Sequence, residues 1–165
     1  MQLPGFSGLV LAVALLAVSP TLAQEISHCP KTLPSGDIFG KPFPSSDSWY
    51  GAETLAVMLR PDGIWRGMGP QHRFRDKLFW WSLGFKPGME SNLEVTARRL
   101  DASSSPADVS PPTNAHAPDL GGWTMLVAVE FPTAGCWEIT GRYLGQALSF
   151  VVEVRADEVP VEGAT

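Results

Sequence analysis

Met68-Gly69-Pro70-Gln71-His72 sets a thioether and an imidazole four positions apart, and Met58, Met89, Met125, His28 and His116 supply the same ligand types elsewhere. Thioether and imidazole ligands suit Cu(I), so Met68 and His72 are the candidate metal pair. Against that reading, the methionines are scattered, Met125 falls on an apolar strand face, and no H-x-H or M-x-x-M cluster accompanies them. The expectation is no bound metal and no cofactor. Cys29 and Cys136 are the other reactive side chains. A cysteine nucleophile needs a free thiol beside a base, and His28 is the only sequence neighbour that could serve. Loop carboxylates Asp37, Asp47, Glu90, Asp101, Asp108 and Asp119 could pair as acid and base, yet their spacing selects no pair. G-x-S-x-G, H-E-x-x-H and a glycine-rich phosphate loop are all missing, so the expectation is a protein that is not an enzyme.

Trp80-Trp81 is the most suggestive contact feature. Neighbouring strand residues point to opposite faces, so one indole packs inside while the other faces outward or lies under a loop. An outward tryptophan, with Trp65 or Trp49 near it, would suit a sugar face or a partner protein. Cover by the proline-rich N-terminal stretch or by the 101–119 loop is the ordinary alternative in a small domain.

These residues need a scaffold, and the totals say which kind. The chain has 165 residues, with 16 Gly and 15 Pro, a composition that favours many short strands over long helices. Its net charge of −5 argues against nucleic acid and anionic membranes, both of which need clustered Lys and Arg. Arg73-Phe74-Arg75-Asp76-Lys77 reads as a solvated strand edge whose charges block aggregation. Residues 1–23 read as a secretory signal peptide. Leu9 to Val18 is a short apolar run, Ser19-Pro20 breaks it, and Thr21-Leu22-Ala23 sets small residues before a cut at Ala23/Gln24. Ten apolar residues are too few to span a bilayer, which takes about 20, so no membrane insertion follows cleavage. MQLPGFSG ahead of the run carries no Lys or Arg, leaving positive charge to the amino terminus alone. In an exported chain the even pair Cys29 and Cys136 is a disulfide candidate.

Periodicity then divides the chain. Residues 24–49 are irregular and read as an extended segment held by Cys29, with Phe39 and Phe43 as further anchors. Residues 50–156 read as an antiparallel β-sandwich of about seven strands, and 157–165 as a flexible tail. Glu53 to Arg60 alternates through Leu55, Val57 and Leu59. Pro61-Asp62-Gly63 is a turn, and Ile64 to Met68 is expected to return as the partner of that strand. Asp76 to Leu83 is an aromatic-rich strand. Ser91 to Leu100 turns Leu93, Val95 and Ala97 to one face and ends, or bulges, at Arg98-Arg99. Asp101 to Asp119 is expected to be a long Ser/Pro/Asp-rich loop, either functional or mobile. Trp123 to Phe131 resumes the β pattern. The last two runs fold about Leu144-Gly145 into a hairpin that opposes Trp137 to Val152, Ile139 to Phe150, Gly141 to Leu148, Thr140 to Ser149 and Cys136 to Glu153. A slip of one residue would send its apolar sets to opposite faces.

The corner before that hairpin, Phe131-Pro132-Thr133-Ala134-Gly135-Cys136-Trp137, has the cadence of an Ig-like sandwich, with Trp137 where such domains often carry a tyrosine. Gly135-Cys136-Trp137-Glu138-Ile139-Thr140-Gly141-Arg142 resembles the G-C-W-E-[IV]-T-G-R stretch of a group of small secreted bacterial Ig-like proteins of unknown function. Lys77-Leu78-Phe79-Trp80-Trp81 and Arg98-Arg99-Leu100-Asp101-Ala102 resemble two further elements of that group. The resemblance covers the chain from Cys29 onward and implies fold and export; it implies no activity. The resulting expectation is an all-β, Ig-like, exported, monomeric module of the bacterial envelope or exterior, non-catalytic, with a protein or carbohydrate ligand. Its contact surface is expected near Trp65, Trp80 or Trp81. An exported copper-binding domain is the first alternative and a secreted hydrolase the second.

Overall fold

Apolar residues alternate with polar ones along most of this chain, and a side chain on every second position of a strand faces the same way. The computed structural model describes residues 28–35, 48–66, 74–118 and 122–156. It forms ten strands from them: Trp49–Ala52 (β1), Leu55–Met58 (β2), Ile64–Arg66 (β3), Phe74–Trp81 (β4), Glu94–Arg99 (β5), Asp108–Val109 (β6), Thr113–Ala117 (β7), Gly122–Phe131 (β8), Gly135–Tyr143 (β9) and Gln146–Arg155 (β10). Residues 1–23, most of 24–49 and the tail 157–165 lie outside the described residues, as do Met68 and His72.

The strands make two sheets. One runs β1-β2-β4-β8-β6, with β7 also on β8, and the other runs β3-β10-β9-β5. The inward set of β8, Met125, Val127, Val129 and Phe131, packs into one apolar core with Trp137 and Ile139 of β9 and Phe150, Val152 and Val154 of β10. Aromatic rings knit the sheets together: Trp65 to Phe131 and Phe131 to Trp137 at 5.0 Å between centroids, and Trp80 to Phe150 at 5.8 Å. The final hairpin has the register expected from its alternation, down to Thr140↔Ser149 and Cys136↔Glu153. Its turn residues Leu144 and Gly145 both have positive φ, 47° and 76°. That is the primed geometry that matches the twist of antiparallel strands.

Three expectations change. Ile64–Arg66 does not return beside β2. It crosses to the other sheet and pairs in parallel with β10, Trp65 opposite Val154. Pro61-Asp62-Gly63 is a turn as expected, closed by the Gly63 amide donating to the Arg60 carbonyl at 3.0 Å. Its outgoing direction is set by what both sides of β3 must bury, since Ile64 and Trp65 are each buried. Nor are residues 101–119 wholly loop, because β6 and β7 lie there and pair one after the other along β8. Ser110, between them, bonds Ala128 through both its amide and its hydroxyl. These short pieces raise the number of described strands to ten, against about seven expected. Finally, β4 begins at Phe74, two residues earlier than the alternation suggests.

Trp80 decides how closely the sheets approach. It is fully buried, and a Cβ built on Gly141 of the facing sheet would lie 2.5 Å from its Cζ3. The indole thus occupies the space that any larger residue at 141 would need. Because the contact is with a rigid ring in a packed core, the side chain cannot swing aside without displacing Phe150. Gly141→Ala is expected to destabilise the fold by about 1–3 kcal/mol, the usual cost of overpacking. Urea unfolding checks this: a lower midpoint at unchanged slope is the expected outcome, and an unchanged midpoint would contradict the packing described.

Candidate functional site

Cys29 and Cys136 are bonded to each other, Cα to Cα 5.4 Å, across a sequence separation of 107. Neither thiol is therefore free to act as a nucleophile or a thiolate ligand. The bond ties residues 28–35 along β10. The Thr32 amide donates to the Val151 carbonyl at 2.8 Å, and the Val151 amide donates to Thr32 Oγ1 at 3.0 Å. Lys31 Nζ stands 3.5 Å from Glu153. Farther on, the Ser35 amide donates to the Trp49 carbonyl. This segment continues along the side of β10 that the three residues of β3 leave open.

Around the disulfide the stretches 98–102 and 135–142 meet. Arg98 pairs with Glu138 across the β5–β9 ladder at 2.6 Å. Arg99 Nε donates to Asp101 Oδ1 at 2.6 Å and its NH1 to Thr133 Oγ1 at 3.0 Å, while Asp101 Oδ2 accepts the Cys136 amide at 3.1 Å. Gly135, at φ 143°, passes under the Arg99 guanidinium where a Cβ would lie 2.7 Å from Nε. Asp101, one of the loop carboxylates considered for acid–base work, is thus a brace for the corner. The hydrogen bond from Arg99, helped by the Cys136 amide and opposed by partial burial, holds its carboxyl below the ordinary 3.8. Glu153 is held below its ordinary 4.5, chiefly by Arg155 and less by Lys31.

The tryptophans divide as the strand geometry requires. Trp80 is in the core and Trp81 is half-buried on the outer face of its sheet, beside Ala56. Trp65 is buried. Of the ligand types noted in the sequence, Met125 is fully buried in the core and His116 stacks against Trp123 at 5.1 Å. Among the described residues no group of three or more His, Cys, Asp or Glu is placed to hold a metal ion.

An apolar concavity arises where β2 and β4 part. Their ladder lasts two pairs, Ala56↔Trp81 and Val57↔Trp80, and then opens. Beyond it the Leu59 amide turns to the Ser48 carbonyl, and among the described residues β4 from Phe74 to Phe79 pairs with β8 alone. The fork leads into a cleft of about 180 Å³. Its depth is apolar, with Leu59, Ile64, Trp65, Leu78 and Val152 buried, and Met58 and Phe79 are half-buried at the rim. Arg60 bridges the fork, donating through Nε and NH2 to Asp76 Oδ2 at 3.0 and 2.6 Å. Of the expected solvated edge at 73–77, Arg73 lies outside the described residues, Arg75 and Lys77 are exposed, and Asp76 turns toward the cleft to meet Arg60. Trp65, a candidate contact residue, is one wall of the cleft rather than an exposed platform. Sequence alternation gives no sign of the cleft, because it exists only through the crossing of β3 to the other sheet.

No family model matches the sequence, and neither curated proteins nor solved structures include a match to it.

The Asp101 brace has a pH signature. A carboxyl depressed in the folded state contributes stability that is complete above its unfolded value and is lost as pH falls through the lower folded value. Asp101→Asn is expected to cost about 1–3 kcal/mol at neutral pH, as for hydrogen bonds to a charged group. The gap to the unsubstituted protein should stay constant above the ordinary 3.8 and close below it. Urea midpoints taken from neutral pH down to strong acid check this, and a gap independent of pH would contradict it.

Proposed function

We propose that the chain is an exported, non-catalytic binding module of the bacterial envelope or exterior, and that the cleft between β2 and β4 is where it holds its ligand. The observation that carries this reading is the cleft itself: apolar in depth, polar at the rim, and bridged by one ion pair. Small-molecule sites are typically concave and mostly apolar, with a few placed polar groups. The volume suits a compact ligand group, since an apolar cavity of about 150 Å³ takes up a benzene ring. Both cysteines are consumed in a disulfide, a bond that persists in oxidising compartments, and this supports export with residues 1–23 as the signal.

The Ig-like assignment belongs to the same proposal. Trp137 Nε1 donates to the Thr133 carbonyl four residues upstream, at 3.2 Å. In Ig-like domains a tyrosine at the equivalent corner bonds back to the backbone in the same manner. The disulfide departs from the antibody pattern, because it joins a sheet to a segment outside both sheets instead of joining the sheets to each other.

Benzene titrated into protein with labelled Ile, Leu and Val methyls tests the site. Saturable shifts confined to Ile64, Leu59, Leu78 and Val152 are the expected result, helped by the ring current of Trp65. Shifts that never saturate, or that scatter over the core, would remove the cleft as a binding site.

A further inference from the structure

The polar groups of the cleft are unevenly used. Asp76 is the one carboxylate of the lining, and both of its oxygens are engaged: Oδ2 by Arg60 and Oδ1 by the Lys77 amide at 2.8 Å. Thr32 Oγ1 accepts the Val151 amide, which leaves the hydroxyl proton to be donated. Lys77 is exposed at the rim, and among the described residues no carboxylate engages its ammonium. The side-chain groups left over are therefore donors, and the charges of the lining sum to one positive: Arg60 and Lys77 against Asp76. Such a rim satisfies an acceptor that carries negative charge and leaves a neutral or cationic head without a partner.

We propose that the cleft selects a small aromatic carboxylate, its ring among Ile64, Trp65, Leu78 and Val152 and its carboxylate at the rim with Lys77. This rests on the cleft being the binding site. The ring fits by volume, 180 Å³ against the roughly 150 Å³ that holds benzene. Trp65 and Phe79 put two aromatic side chains in the lining, and aromatic neighbours favour aromatic over aliphatic occupants. Arg60 is not the anion's first partner, because its Nε and NH2 both turn to Asp76 Oδ2 and its charge is matched there. Its part is to keep Asp76 neutralised, so that the acid does not repel the incoming carboxylate. Lys77, on a flexible stem, can lay its methylenes over the rim and bring its charge to the ligand head.

The test compares 3-phenylpropionate, its amide 3-phenylpropionamide and benzene on the full mature chain, followed by the same methyl shifts. The acid is expected to bind about two- to five-fold tighter than the amide, the range of a solvent-exposed ion pair. Lys77→Gln should abolish that preference, so that acid and amide bind alike to the same variant, and added salt should shrink it. Equal binding of acid and amide, or a preference that survives Lys77→Gln, overturns the anion selectivity. If benzene still shifts Ile64 and Val152 in that case, the cleft stands as an apolar site without charge selection. If none of the three probes gives saturable shifts, both the selectivity and the site fall. Lys77 is exposed and outside the core, so its variant keeps the fold.

Discussion

Three parts of the chain meet at Gly63. Its amide closes the turn onto the Arg60 carbonyl, its own carbonyl accepts the Glu153 amide of β10 at 3.0 Å, and the N-terminal segment passes over it. A Cβ there would stand 3.0 Å from Lys31 Cβ and 3.1 Å from the Thr32 carbonyl, and the backbone holds φ at 62°, a region that favours glycine. Asp62 fixes the next step by accepting the Ile64 amide at 3.0 Å. The chain can therefore leave one sheet, enter the other and be overlaid by residues 31–33 within a single turn. The parallel β3–β10 pairing, the fork between β2 and β4, and the cleft behind that fork all follow from this crossing.

The forces on the N-terminal segment are unequal. Its backbone and hydroxyl bonds to Val151 contribute about 1 kcal/mol each. The Lys31–Glu153 pair contributes between nothing and about 1 kcal/mol, since both partners remain partly in water. Closing a loop as long as the one between Cys29 and Cys136 is worth about 4–5 kcal/mol in the chain-entropy description. The disulfide is the dominant restraint, then, and Thr32 reaches the cleft wall because Cys29 holds the chain beside it. At the corner, the Arg99–Asp101 brace orients the Cys136 backbone on which that restraint pulls. The disulfide, the brace and the cleft wall are one mechanical unit rather than separate features.

Much of this was legible from residue types. The β9–β10 register could be read outright, because alternation forbids a one-residue slip and the turn at Leu144-Gly145 selects Trp137 opposite Val152 and Ile139 opposite Phe150. The cysteine pairing followed from their even count, and the opposite fates of Trp80 and Trp81 from strand parity. What alternation cannot say is which sheet a strand joins. Ile64-Trp65-Arg66 reads equally well beside β2 or β10, and the choice depends on contacts with residues some ninety positions away, such as Val154. In β6 and β7 the composition pointed to loop, while β8 offered a free edge that short polar segments could pair with. The cleft was hidden for the same reason as the β3 crossing. Its lining comes from residue 32, from 58–65, from 76–79 and from 152, and no local pattern joins them.

The crossing at Gly63 is the feature on which the fold and the cleft both depend, and it can be observed directly by nuclear Overhauser contacts in the isotopically labelled protein. Parallel pairing requires contacts between the backbones of Trp65 and Val154 and of Arg66 and Arg155, with the Glu153 amide protected from exchange by the Gly63 carbonyl. An antiparallel hairpin would instead give contacts from Ile64 and Trp65 back to the backbone of β2, with none to residues 153–155. That result would contradict the crossing, and with it the origin of the cleft.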